Sequence, residues 1–122
     1  TDAIDKGKIP LALDRLHRTL GAGDKHALPV MASLHGHYSR MVRLDGAPVS
    51  GEKAAAELLG MKGSTFPARK ALEQGRKLGT DRLRQAVHLL ARADLDLRGA
   101  KAWPPELVME VLVARLARLS RR

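Results

Sequence analysis

Apolar residues recur along most of this chain at intervals of three and four, the spacing that gathers side chains onto one face of an α-helix. Ile9, Leu13, Leu16 and Leu20 form one such stripe, with Pro10 tolerated in the first turn and Gly21 and Gly23 as stops. Leu28, Met31, Leu34, Tyr38 and Met41 form a second. Its helix is expected to begin after Asp24 as N-cap, to hold Pro29 in its first turn and to end near Gly46, with Arg40 and Arg43 facing solvent. A third, short helix follows Ser50 and carries Ala54, Ala55, Leu58 and Leu59 up to Gly60. After a loop at 61–65, Pro67 opens a fourth with Ala68, Ala71, Leu72 and Leu78, which Gly79 ends. Thr80 is the natural N-cap of a fifth, where Leu83, Ala86, Val87 and Leu90 continue towards Leu97 and Gly99.

A sixth helix opens at Trp103, Pro104 and Pro105 and runs through Leu107, Val108, Val111, Leu112, Val113, Leu116 and Leu119. It is apolar around most of its circumference, so it must be covered on several sides, by its own domain or by a neighbouring chain. Tyr38, Phe66 and Trp103 are the only aromatics, so Leu, Val, Ala and Met must fill the interior, and these suit interlocking helices better than a β-sandwich. The expected fold is all-α, an orthogonal bundle of about five to six helices in one domain, a size that 122 residues allow.

The chain has no cysteine, which excludes disulfides, thiolate nucleophiles and Cys-type zinc sites. No apolar run approaches the roughly twenty residues that cross a bilayer, and the polar start, Thr1 to Gly7, has no apolar h-region. A cytoplasmic setting fits, and the start without Met suggests a fragment. The net charge of +9 is uneven: residues 1–63 hold nine Lys/Arg against seven Asp/Glu, and residues 64–122 thirteen against six. Such a basic half attracts phosphate backbones or acidic protein surfaces by a force blind to sequence, or it is a solvated surface that keeps the chain soluble.

Sites for chemistry are missing at the level of motif. Gly46 and Gly51 have the gap of a phosphate-binding loop, but Glu52 stands where that loop needs lysine, and a carboxylate there repels phosphate. His17, His26, His35, His37 and His88 do not form a helical metal pair: His35 and His37 are two apart and face different directions. Asp94 and Asp96 close a helix near Arg98, a setting for capping or pairing more than for catalysis. The expectation is therefore no catalytic residue, no cofactor and no metal.

Two segments suit contact with a partner. From Glu52 to Gly79 a short helix, a glycine turn and a second helix with Arg69, Lys70, Arg76 and Lys77 resemble a helix-turn-helix, although the connection is longer than that motif's three or four residues and carries Pro67. The alternative is two core helices with a solvated basic face. Arg98, Lys101 and Trp103 belong to a basic loop whose indole has the chemistry to stack on an unpaired base, or to pack back on the last helix as a staple. On the last helix, Val113, Leu116 and Leu119, flanked by Arg115 and Arg118, are the expected subunit contacts if that helix is interfacial and core residues if it is not.

Several segments occur in an order that resembles one family. Asp2-Ala3-Ile4-Asp5-Lys6-Gly7 and Ala12-Leu13, then Leu59-Gly60-Met61-Lys62, Pro67-Ala68-Arg69-Lys70 and Asp94-Leu95-Asp96-Leu97-Arg98-Gly99 are similar to landmarks of the delta subunit of bacterial DNA polymerase III, a part of the clamp loader. The resemblance implies a C-terminal collar domain at 9–122, with 1–8 the tail of a preceding AAA+-like lid region. It implies assembly with gamma/tau and delta prime in a hetero-oligomeric ring that loads the sliding clamp on primed DNA in the replisome. It also implies a subunit that hydrolyses no ATP within a DNA-directed DNA polymerase holoenzyme, and a sliding-clamp contact in an N-terminal domain outside this sequence. Primer-template DNA is a further expected neighbour of the loop at Arg98. That family often has Lys where Arg98 stands. The competing reading is a helix-turn-helix protein that binds one DNA sequence.

Overall fold

The computed structural model describes residues 2–20, 27–48, 51–100 and 102–121. Among them the chain is all-helical, with α1 (Asp2–Asp5), α2 (Ile9–Leu20), α3 (Ala27–Leu44), α4 (Glu52–Leu58), α5 (Phe66–Leu95) and α6 (Pro105–Leu119), and no strand. A π-helical turn, Asp96–Ala100, joins α5 to the segment before α6. Gly21, Gly23, Asp24 and Ser50, the expected stops and caps around α2, α3 and α4, lie outside the described residues. Among the described residues no helix is long and apolar enough to cross a membrane.

α6 is the central element. It packs on α1, α2, α3 and α5, and Val108, Met109, Leu112, Val113, Leu116 and Ala117 are all buried. This is why so many consecutive positions of the helix are apolar: neighbours on several sides leave it only a narrow strip for Arg115 and Arg118. α3 lies along α5, and α4 covers part of α5 through Ala55, Ala56 and Leu59.

Periodicity located the helices but misphased several stripes. Leu28 is 68% exposed, and Ala27 takes its place on the buried face of α3. In α4 the buried set is Ala55, Ala56 and Leu59, so Ala54 and Leu58 turn outward. Val87 and Leu107 are likewise exposed.

The fourth and fifth expected helices run together as α5, broken at Gly79, whose φ of 79° and ψ of 166° are open to glycine and strained for other residues. The break frees carbonyls of the first half, and Arg82 collects them. Its guanidinium donates to the carbonyl oxygens of Lys77 (2.6 Å) and Leu78 (2.9 Å), and also to those of Leu119 (3.1 Å) and Arg121 (3.3 Å) beyond the end of α6. One side chain thus caps two helix ends and fixes them side by side. Thr80 does not spend its hydroxyl as an N-cap; it donates to the carboxylate of Asp45 (3.1 and 3.2 Å), after the end of α3.

No packing break marks residue 8, the boundary expected between a preceding tail and the bundle. Ala3, Ile4 and Asp5 are buried, α1 packs on α2 and α6, and Gly7 adopts a φ of 70° where a Cβ would collide with Arg121. The Asp5 carboxylate accepts from His37 Nε2 at 3.0 and 3.2 Å, with both side chains about 95% buried (5% and 4% exposed), and Lys77 Nζ donates to the Asp5 carbonyl at 3.2 Å. Polar bonds therefore tie α1 to α3 and α5.

Beside this pair, Tyr38 sits edge-on to His37, with ring centroids 5.4 Å apart, and is hydrogen-bonded to the buried Ser120. Burial, seconded by the Asp5 charge, pushes the Tyr38 phenol well above its ordinary value of 10.0, against the smaller opposing effect of Ser120. A raised folded-state value means that the folded chain keeps a proton the unfolded chain releases, so this contribution is complete below pH 10 and is lost as the pH rises beyond it. Unfolding free energy is expected to fall by up to about 1.4 kcal/mol per pH unit above about pH 10. Because Tyr38 is the chain's only tyrosine, its tyrosinate absorbance should rise together with loss of helical circular dichroism, not before it.

Candidate functional site

The residues expected to meet partners fall at two places, the exposed strip of α6 and the segment that precedes it. Val113 and Leu116 are committed to the chain's own core, and Leu119 is partly buried against it. A partner would therefore reach the C-terminal half of α6 through Arg115 and Arg118, both exposed, and the outer edge of Leu119. Of the two expectations for Val113 and Leu116, subunit contact or core, their burial fits the core; periodicity shows that a helix is covered on several sides, not by which chain.

Arg98 reaches back to Asp94, with Nε and Oδ2 3.2 Å apart, while most of its guanidinium stays in solvent. The expected pairing at the end of α5 is present. Lys101 lies outside the described residues. Trp103 is 38% exposed and lines a small cleft of about 20 Å³ between α5 and α6, beside Arg92, Asp96, Leu112 and Arg115. Its indole is partly open to solvent at that cleft.

Asp96 forms the floor of that cleft. It is buried, its Oδ1 has no hydrogen-bond partner among the described residues, and the Arg92 Nε stands 3.7 Å away.

The arrangement between Glu52 and Gly79 differs from a DNA-reading motif in two ways. Seven residues, 59–65, separate α4 from α5, and the start of α5 is occupied by the chain itself. Thr65 donates to Glu52, and Arg69 stacks over Phe66 (5.1 Å to the centroid) with its Nε 3.9 Å from Glu52. Lys77 is bonded to the Asp5 carbonyl, and Lys70 and Arg76 also have partners. A carboxylate at the N-terminus of the would-be reading helix works against an approaching phosphate.

One constellation escaped the sequence expectation of no metal site. His17 on α2 and Glu106 and Glu110 on α6 each offer a ligand atom, and the three atoms lie within 4.8 Å of one another. His17 Nε2 is 3.3 Å from Glu110 Oε1. Spacing within one helix tests only ligands on that helix; these come from two helices, with His17 and Glu110 93 positions apart in sequence. The available signal was the Glu106/Glu110 pair, one turn apart on a helix face.

No family model, no curated protein and no solved structure matches this chain.

Proposed function

We propose that this chain is a non-catalytic assembly domain, the collar domain of a clamp-loader delta subunit, which holds that subunit in a ring with gamma/tau and delta prime while other subunits use ATP. In this reading the helices form the orthogonal, collar-like bundle of that family. The observation that carries the reading is the set of landmark segments, in order along the chain, a few of whose residues hold constrained places in the fold. Asp5 is buried against His37, Gly7 is left-handed against Arg121, and Asp96 is buried at the turn that Gly99 completes with a φ of 102°.

The exposed strip with Arg115 and Arg118 supports an assembly role, because it offers a basic surface on a helix whose Val113, Leu116 and Ala117 are taken up by the chain's own core. A helix-turn-helix role would have to break Arg69 and Lys77 away from their present partners. The immobilised chain is expected to retain purified gamma/tau and delta prime from its own source, and to bind short duplexes of different sequence within about threefold of one another. Failure to retain either subunit, or a preference of 100-fold or more for one duplex, overturns the proposal.

A further inference from the structure

The geometry points to a surface site for one divalent transition-metal ion, of the class that Zn²⁺ represents, held by His17, Glu106 and Glu110 across the seam between α2 and α6. The two glutamates stand one turn apart on α6, where like charges repel when nothing lies between them. What faces them is an imidazole, a donor that coordinates a metal when neutral.

Metal–nitrogen and metal–oxygen bonds of about 2.0–2.2 Å put donors about 3.4 Å apart in a tetrahedral shell. The His17–Glu110 separation of 3.3 Å is already close to that value, and the limit of 4.8 Å on the whole set leaves at most about 1.4 Å for side-chain rotation to close. The backbones need not move. α2 and α6 are held together by buried Ala12, Leu16 and Leu20 on one side and Val113 and Leu116 on the other. His17 is half exposed and Glu110 about a third, so an ion can enter, and water completes the shell at the open fourth position.

A nitrogen donor with two carboxylates favours Zn²⁺, Co²⁺, Ni²⁺ or Cu²⁺ over Mg²⁺ and Ca²⁺, which prefer shells made of oxygen. The ion would staple α2 to α6, a structural role that adds to assembly and does not depend on it.

The test titrates the whole chain with ZnCl₂ at pH 7.5 by calorimetry, with thermal melts alongside and Co²⁺ as a spectroscopic probe. One ion per chain is expected, with visible Co²⁺ bands of a low-coordinate site. Tm should rise by roughly 5–10 °C once free Zn²⁺ is about a hundredfold above the dissociation constant. His17→Ala and Glu110→Gln, both at solvent-accessible positions, should each weaken binding at least tenfold, while His35→Ala and His88→Ala should leave it unchanged. Absence of saturable uptake overturns the proposal. So does uptake that survives His17→Ala, which would mean that the cluster is only a histidine–glutamate ion pair and that Zn²⁺ binds elsewhere. Loss of this site would leave the assembly reading untouched, because that reading is tested by subunit retention.

Discussion

Asp5→Ala is expected to lower the unfolding free energy by about 1–3 kcal/mol, the range for a buried hydrogen-bonding group left without its partner. The carboxylate is buried and accepts from His37 Nε2 at 3.0 and 3.2 Å. Truncating it leaves the imidazole nitrogen inside the bundle, with neither water nor protein to replace the bond. Domains of this size have about 5–15 kcal/mol in total, so the loss is a large share of it. Denaturant unfolding monitored by Trp103 fluorescence and circular dichroism measures it directly. His37→Ala should cost a similar amount, and the double variant much less than the sum of the two, because each single change already strands the other group. Additive effects would mean that the two groups do not depend on each other. Hydrogen exchange should also speed up in α1, since Asp5 is its last residue and its polar tie to α3.

Leu116→Ala is expected to cost about 2–5 kcal/mol, because the side chain is 0% exposed at the centre of the most enclosed helix and its removal opens a cavity. Arg115→Ala and Arg118→Ala, one position before and two after it, should stay within about 0.5 kcal/mol, as exposed positions do. This contrast separates the core of α6 from the strip it presents outward. If Leu116→Ala left the isolated chain as stable as before, the helix would not be packed as described.

The sequence made the helices legible because three-four spacing, prolines in first turns and glycines at ends are local signals. The break at Gly79 is the clearest case: glycine in a long apolar pattern marked the spot where the backbone leaves the helix. α1 was not legible, since four residues are too few to show a period, and its burial depends on α2 and α6. Nor could periodicity choose between Ala27 and Leu28 as the inward residue of α3.

The functional residues divide in the same way. The Asp94–Arg98 pair, four positions apart, could be read from the chain alone. Asp5 with His37, and His17 with Glu106 and Glu110, join residues far apart in sequence, and only the packed bundle brings them together. Whether Val113 and Leu116 meet their own chain or another was open for the same reason. A partner's side chains and a domain's own core impose the same pattern on a helix.

The proposed function has the chain act by joining sibling subunits. Native mass spectrometry of the purified chain mixed with gamma/tau and delta prime measures this most directly. The account predicts a complex containing one copy of the chain, depleted at least tenfold when Arg115→Glu and Arg118→Glu are introduced together into a chain that still folds. Finding the wild-type chain free in every mixture, at concentrations where the other subunits associate, would contradict it.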